Sequence, residues 1–217
     1  MSLDLLATAG GTSHWREQLA PGAVVLRGFA TASATAVLAE IREIIARAPF
    51  RHMQTPGGFR MSVAMSNCGD FGWVSDTSGY RYGAVDPASG LPWPALPTLF
   101  LQLATDAAAE AGFAHFTPDA CLINRYQPGA KMALHQDKDE ADLSQPIVSL
   151  SLGLPAIFQF GGLRRAERAS RITLTHGDVV VWGGPDRLRY HGVLALADGT
   201  HPLLGACRLN LTFRQAR

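Results

Sequence analysis

Apolar residues recur three and four positions apart in two stretches of the chain, which is the spacing of one buried helix face. The first stretch runs from Ser33 to Arg47, where the serine can cap the first turn and Pro49 follows as a helix breaker. The second runs from Pro97 to Ala111 and is followed by Gly112, a residue type that commonly ends helices. The pattern therefore predicts two amphipathic helices.

From Cys121 onward the pattern changes to short apolar or β-branched runs separated by Pro, Gly and Asp. Six or more short strands without helices between them predict an antiparallel sandwich or barrel of the jelly-roll kind. We therefore expect a mainly β fold, a double-stranded β-helix (jelly-roll) core with supporting helices. The clearest runs are CLINRY, PIVSLSLG, AIFQFGG, RITLTHGDVVVWGG and RLNLTFRQ.

The segment from Phe50 to Pro94 is rich in Gly, Pro, Ser, Trp and Tyr and has little helical period. This composition predicts irregular strands and loops, a texture that often accompanies functional segments. We expect residues 1–95 to form an N-terminal helix and a lid. Residues 96–217 should then form the jelly-roll core of a single compact unit.

The composition is that of a globular protein. With 47% hydrophobic and 17% charged residues among 217, the chain can bury a core, which excludes a disordered protein. No apolar run approaches the ~18 residues that span a bilayer, so no membrane association is expected. Residues 1–11 lack the features of a signal peptide, which predicts a cytoplasmic location.

Charge and cysteine content argue against two common kinds of site. The formal net charge of +1, from 19 basic and 18 acidic residues, gives no overall electrostatic argument for a nucleic-acid partner. Cys68, Cys121 and Cys207 are too widely spaced for a zinc ribbon or a disulfide framework, so we expect free thiols.

The sharpest local signal is the pair His135 and Asp137. In an extended segment, residues two apart point to the same face, so the imidazole and the carboxylate can aim at one point. Alone this spacing is weak, because a surface histidine and aspartate beside a turn would look the same. His191 begins another predicted strand and can supply a third ligand, whereas His176 lies in a turn. Two histidines and one carboxylate form the iron site of non-haem Fe(II) oxygenases, which leaves positions for a cosubstrate and O2.

The last predicted strand carries a second polar face. Arg208, Asn210, Thr212 and Arg214 point to one side and the apolar residues between them to the other. Two arginines that face a jelly-roll interior need a partner, because an unpaired buried charge costs several kcal/mol. A dicarboxylate ligand would supply one, since guanidinium groups bind carboxylates in two-point contacts. Surface ion pairs on an edge strand are the alternative explanation.

Several stretches of the chain closely resemble the AlkB family of Fe(II)- and 2-oxoglutarate-dependent dioxygenases, which dealkylate DNA and RNA oxidatively. The combination of H-x-D…H with R-x-N-x-x-x-R is highly specific, and the resemblance covers roughly residues 15–216. It implies a jelly-roll core with an N-terminal nucleotide-recognition lid. The stretches that carry it are residues 55–69, 119–140, 146–165, 176–184 and 208–216.

The resemblance also implies a role for individual residues. The catalytic iron ligands would be His135, Asp137 and His191. The residues that hold 2-oxoglutarate would be Asn124, Tyr126, Arg208, Asn210 and Arg214. The residues that hold the flipped base and its strand would be Trp73, Tyr80, Tyr82, Asp139 and Arg165, with Tyr80 and Tyr82 at the phosphate or sugar.

The implied activity is direct reversal repair of N-alkylated bases such as 1-methyladenine and 3-methylcytosine. Decarboxylation of 2-oxoglutarate, with Fe(II) and O2, would be coupled to hydroxylation of the N-alkyl carbon and release of an aldehyde. Methylation at a pairing nitrogen weakens the base pair and leaves a positive charge, so extrusion costs less and stacking on Trp73 gains a cation-π contribution. The implied partner is alkylated single- or double-stranded DNA, with RNA left open, and we expect the chain to be a monomer.

Two other functions remain open at this point. The same core could hydroxylate protein side chains or small molecules, or a catalytically silent jelly-roll could bind single-stranded nucleic acid. Phe59, where the resemblance leads us to expect a tyrosine, and its neighbour Arg60 are departures in the lid. Basic residues cluster where the substrate is expected, which predicts a weak, salt-sensitive grip on undamaged strands. They are Arg51, Arg60, Arg81, Arg164, Arg165 and Arg168.

Overall fold

The structure is a computed structural model that describes residues 15–217. The opening residues, on which the prediction of an absent signal peptide rests, lie outside this range. The elements in chain order are β1 (Trp15–Ala20), β2 (Ala23–Arg27), α1 (Ala34–Arg47), β3 (Arg51–Gln54), β4 (Arg60–Gly69), β5 (Gly72–Asp76), β6 (Gly79–Gly83), α2 (Thr98–Glu110), β7 (Ala120–Tyr126), β8 (Met132–His135), β9 (Ile147–Gly153), β10 (Ala156–Phe160), β11 (Ser170–Leu174), β12 (Val179–Trp182), β13 (His191–Val193) and β14 (Arg208–Arg214).

Two antiparallel sheets enclose the core and confirm the predicted jelly-roll. The larger has eight strands in the order β1-β2-β12-β9-β14-β7-β4-β3, and the smaller has four in the order β11-β10-β13-β8. One buried apolar cluster joins them, with Tyr126 and Trp182 from the larger sheet and Phe158 and Phe160 from the smaller. A separate β5–β6 hairpin completes the described strands.

The two helices lie on the other face of the larger sheet. Val37 and Ile41 of α1 and Phe100 and Ala104 of α2 are buried in a second apolar cluster with side chains of β9, β12 and β14. Both helices begin one residue after their predicted first residue, so the helical period located them correctly. Among residues 15–217, no helix is long and apolar enough to cross a membrane.

The segment predicted to be irregular contains β3 to β6, and β4 is a ten-residue strand of the larger sheet. The sequence hides this strand because both of its faces are covered, so polar and apolar residues do not alternate with exposure. Ser66 and Asn67 are both about 1% exposed. Asn67 exchanges two hydrogen bonds with the backbone of Trp73, which satisfies its buried amide.

The larger sheet also draws strands from both sides of residue 95. β2 pairs with β12, and β4 pairs with β7. β1 to β4 therefore extend the sheet that the strands from Cys121 onward form. The division of the chain at residue 95 into a lid and a core stays a prediction.

Candidate active site

A cross-strand pair brings two histidines together. His135 ends β8 and His191 begins β13, and the two residues lie directly opposite each other. Gly192 permits this close approach, because a Cβ atom there would lie 2.7 Å from the carbonyl oxygen of Met132. Asp137 turns its carboxylate between the rings, with Oδ1 3.6 Å from His135 Nε2 and Oδ2 3.6 Å from His191 Nε2. The structure thus assembles the predicted triad, with ligand atoms within 4.8 Å of one another.

Backbone carbonyls fix the proton positions on both rings. His135 Nδ1 lies 2.9 Å from the oxygen of Ala133, and His191 Nδ1 lies 3.0 Å from that of Arg189. Because a carbonyl can only accept, each Nδ1 carries a hydrogen, which leaves each Nε2 to face the centre of the triad. Burial and the nearby His191 lower the pKa of His135 to about 4, so this imidazole is neutral at neutral pH.

Asp137 is held as a carboxylate by Arg214. The Nε and Nη2 groups of Arg214 donate to Asp137 Oδ2 at 3.0 and 2.7 Å. Burial opposes ionisation of Asp137, but Arg214 and the histidines outweigh it and hold the pKa of the carboxyl well below its usual range. Burial also acts against the charge of Arg214, whose pKa is nonetheless raised by Asp137. The positive charge of Arg214 is therefore balanced inside the protein.

Arg208, on the same face of β14, has no acidic partner among residues 15–217. It is about 1% exposed, donates from Nη2 to Ser151 Oγ at 2.9 Å, and has its guanidinium carbon 5.0 Å from the ring centre of Tyr126. Its Nε and Nη1 atoms are buried without a hydrogen-bond partner. Burial lowers the pKa of Arg208. Two unsatisfied donors on a buried cation create a pocket for an anionic group.

The amides beside Arg208 differ in their accessibility to a ligand. Asn124 donates from Nδ2 to Asn210 Oδ1 at 3.2 Å, and its own Oδ1 is buried without a partner. Asn210 donates to Ser149 Oγ and to the carbonyl of Leu150, at 2.8 and 3.0 Å. As placed, Asn210 therefore directs its amide hydrogens into the sheet and orients Asn124.

One cavity joins the triad and the anion pocket. Its walls include every residue predicted to bind iron or 2-oxoglutarate, together with apolar side chains from both sheets. The apolar residues are Leu122, Met132, Phe158, Trp182 and Val193. A water-poor cavity strengthens the electrostatic interactions inside it, which favours tight binding of a metal and an anion.

The β5–β6 hairpin is anchored to the loop that follows Asp137. Trp73 and Tyr82 lie directly opposite each other in the hairpin. Trp73 Nε1 donates to Asp139 Oδ2 at 2.9 Å, and Tyr82 Oη donates to Glu140 Oε1 at 2.6 Å. Tyr80 stacks on Trp73, with ring centres 5.5 Å apart and planes at 15°. The two consecutive acids thus hold an aromatic platform, formed by Trp73 and Tyr80, against the loop that follows Asp137.

Two buried residues that the sequence did not single out hold this loop in place. Arg187 donates to the carbonyls of Asp137 and Gln145 at 2.6 and 2.8 Å, and to Glu140 Oε2 at 2.9 Å. Glu140 Oε1 also lies 3.5 Å from Arg214 Nε. Bonds to backbone carbonyls leave no spacing pattern in a sequence, so only the closeness of Arg187 to His191 along the chain could have drawn attention to it.

Comparison with known proteins gives the family. A model of the 2OG-Fe(II) oxygenase superfamily matches residues 22–214. The alpha-ketoglutarate-dependent dioxygenase AlkB of Salmonella typhimurium is 58% identical over 214 residues, which cover 99% of this chain and 98% of that protein. The chain belongs to the AlkB family.

Two further similarities extend to more distant members of the AlkB family. The DNA N(6)-methyladenine demethylase ALKBH1C of Arabidopsis thaliana is 35% identical over 169 residues, 66% of this chain and 37% of that protein. The solved structure of OsALKBH1 matches with a TM-score of 0.81 at 30% identity and covers 93% of this chain and all of that one. The second match supports the jelly-roll architecture independently of the close sequence relatives.

This AlkB-family chain is an Fe(II)- and 2-oxoglutarate-dependent dioxygenase, and its side chains suit both groups. Two imidazoles and one carboxylate, from His135, His191 and Asp137, are the donor set that non-haem Fe(II) prefers. The Nε and Nη1 atoms of Arg208, which have no hydrogen-bond partner, suit an anion such as a carboxylate of 2-oxoglutarate. O2 is the remaining reactant that the family uses.

The structure brings three of the five residues predicted to hold the substrate together, and the other two lie apart from them or are buried. Trp73, Tyr80 and Asp139 lie together, and Asp139 follows the iron ligand Asp137 by two residues. Arg165 is exposed, with its guanidinium carbon 5.9 Å from the ring centre of Tyr190. Tyr82 is only 8% exposed and its hydroxyl is bonded to Glu140, which argues against the predicted contact with substrate phosphate or sugar. The placement of Tyr82 favours a role in anchoring the hairpin.

Proposed function

We propose that this enzyme removes alkyl groups from ring nitrogens of nucleobases in DNA, as direct reversal repair, with RNA left open as a second substrate. The observation that carries this proposal is the aromatic platform of Trp73 and Tyr80, which Asp139 anchors at the indole edge two residues after the iron ligand Asp137. A hydroxylase of protein side chains or small molecules has no need of such a platform. The name of the Arabidopsis relative, a DNA N(6)-methyladenine demethylase, supports N-methylated DNA as the substrate, with an exocyclic nitrogen as the target in that protein.

Selection for damage follows from charge and stacking. A base methylated at N1 of adenine or N3 of cytosine is cationic and poorly paired, so it leaves the duplex at lower cost than a normal base. The platform offers it a flat aromatic face, which attracts a cation. Asp139 uses Oδ2 for the indole of Trp73, which leaves Oδ1 to accept from an exocyclic amino group.

Each of the two arginines, Arg208 and Arg214, would bind one carboxylate of 2-oxoglutarate. Arg214 contacts the iron ligand Asp137, so it suits the carboxylate that lies next to the metal. Arg208 is bonded to Ser151 and stacked on Tyr126, so it suits the distal carboxylate. When bound, Fe(II), 2-oxoglutarate and O2 supply the oxidation that converts an N-alkyl C–H bond to C–OH. The C–N bond then breaks, an aldehyde and a proton leave, and the neutral base is restored.

Formaldehyde release tests this function directly. Oligonucleotides that carry 1-methyladenine or 3-methylcytosine should yield formaldehyde and unmodified base when Fe(II), 2-oxoglutarate, ascorbate and air are supplied. The yield is measured by derivatisation of the aldehyde and by mass spectrometry of the strand. Matched unmodified strands and reactions without 2-oxoglutarate serve as controls. Absence of formaldehyde under the complete conditions would refute the assignment.

Replacement of Trp73 with alanine tests the platform. We expect the KM for methylated oligonucleotide to rise ~10-fold or more, because stacking contributes about 1–3 kcal/mol per base. Discrimination between methylated and unmodified strands should fall in parallel, as measured by competition binding. Trp15 is an exposed tryptophan on β1, so Trp15→Ala is the matched control and should change neither quantity. Unchanged discrimination in Trp73→Ala would mean that Trp73 only packs the hairpin.

Three expectations from the sequence stay predictions. They are the cytoplasmic location, the monomeric state and the use of both single- and double-stranded DNA. Sedimentation of the purified chain would test the second, and parallel turnover measurements on methylated single strands and duplexes would test the third.

A further inference from the structure

An open groove of about 850 Å³ lies on the face of the smaller sheet opposite the triad, because Leu134 and the ligand His135 are consecutive strand residues that point to opposite sides. Leu134, which precedes the ligand His135, forms one wall of it, and residues of β10, β11 and the preceding loop form the rest. Arg171 pairs across the sheet with Gln159, so both side chains point to the same face. The lining residues are Leu134, Gln159, Arg168, Ala169, Ser170 and Arg171.

The charge of this groove is not balanced by the protein. Four arginines fall between residues 164 and 171, and the only acid there, Glu167, pairs with Arg164 at 2.6 Å. Arg168 and Arg171 are exposed and have no acidic partner among the residues that the structure describes. They are therefore free to bind an external anion.

Other arginines in the predicted basic cluster are already neutralised. Arg51 pairs with Asp86 at 2.6 Å, and Arg81 pairs with Asp76 at 2.7 Å. The hairpin and β3 therefore contribute less positive field to the substrate surface than the sequence suggested. The unpaired positive charge lies instead on β11 and the loop before it. β11 is the edge strand of the smaller sheet opposite β8.

We propose that this groove binds the phosphate backbone of the substrate strand at nucleotides beyond the flipped base, an inference that rests on the proposed function. Guanidinium groups bind phosphate oxygens in two-point contacts, which suits Arg168 and Arg171 to a nucleic-acid strand. β11 is three strand spacings from β8, so the groove extends about 14 Å from the strand that carries His135. A stacked strand advances about 3.4 Å per nucleotide, so the contact lies about four nucleotides from the lesion.

Substrate length separates this role from base recognition. The test compares a methylated trinucleotide, which is too short to reach Arg168 and Arg171, with a methylated single strand of about 15 nucleotides, which can reach them. In the double variant Arg168→Gln/Arg171→Gln, we expect the KM of the longer substrate to rise ~10-fold while that of the trinucleotide is unchanged. The slope of log affinity against log salt for the longer strand should fall by about 1.4, since each phosphate contact on a single strand contributes about 0.7.

Two matched variants control for folding and for net charge. Arg168→Lys/Arg171→Lys keeps both charges but not the two-point contacts, so it should restore the salt dependence and recover part of the affinity for the longer strand. Arg42→Gln/Arg47→Gln removes two exposed charges from α1, on the opposite face of the larger sheet, and should leave both substrates unaffected. Equal losses on both substrate lengths, no recovery with lysine, or the same loss in the α1 variant would each overturn the proposal.

The remaining outcomes distinguish this proposal from the function on which it rests. If poly-glutamate displaces the longer strand as well as an oligonucleotide of equal charge does, the groove is an acidic-peptide surface and the proposal is wrong. If no substrate yields formaldehyde, the proposed function fails. Anisotropy binding of the longer strand still reports on the groove in that case, because it requires no turnover.

Discussion

An Asp137→Asn variant should lose turnover by at least about 100-fold, since changes to residues that merely support metal ligands already cost ~10–100-fold. The carboxylate is the only anionic ligand of the triad and lies 3.6 Å from a ring nitrogen of each histidine. Asparagine keeps the shape but removes the charge that offsets a divalent metal. The direct measurement is Fe(II) affinity of the purified variant under anaerobic conditions, alongside formaldehyde yield.

The same variant should also be less stable without metal. Asp137 balances the buried guanidinium of Arg214, and removal of one partner of a buried ion pair typically costs about 3–5 kcal/mol. Glu140, 3.5 Å from Arg214, should reduce the loss toward the lower value. Urea unfolding of the metal-free protein measures it. Asp139→Asn, two residues along the loop, is the matched control and should retain Fe(II) affinity. Wild-type iron binding in Asp137→Asn would contradict the assigned triad.

The metal and anion sites could be predicted because their residues obey strand periodicity. His135 and Asp137 are two apart, and Arg208 and Arg214 are separated by an even number, so each set shares a face. His191 was assignable as a third ligand from its place at the start of a strand. The sequence did not reveal that Arg214 is balanced by Asp137 while Arg208 is not, because this difference depends on side-chain packing across three strands.

The residues that the sequence missed act through contacts without a spacing rule. Arg187 reaches two backbone carbonyls and Glu140, and any residue type could have supplied those carbonyls. The strand β4 was missed for a related reason, since buried Ser66 and Asn67 interrupt the apolar pattern of a strand covered on both faces. Charge was misjudged too, because the sequence cannot show that Arg51 and Arg81 are paired.

Replacement of Arg208 with methionine should weaken the binding of 2-oxoglutarate but increase the stability of the protein without it. A buried cation with two unsatisfied donors destabilises the protein when no anion is bound, so Arg208→Met should stabilise the 2-oxoglutarate-free protein by about 1–3 kcal/mol. The KM for 2-oxoglutarate should rise ~100-fold, because a lost charged partner in a buried site costs about 3 kcal/mol.

Thermal unfolding with and without 2-oxoglutarate measures both effects in one titration. The wild-type protein should gain about 2.7 kcal/mol at a ligand concentration 100 times its Kd, and Arg208→Met should gain almost nothing at that concentration. Arg125, on the neighbouring strand β7 with its guanidinium 4.6 Å from the ring centre of Phe50, provides the control Arg125→Met, which should keep the wild-type response. If Arg208→Met is instead less stable without the ligand, the guanidinium of Arg208 is a structural group. The anion would then have to bind at Arg214, although Asp137 already balances the charge of that residue.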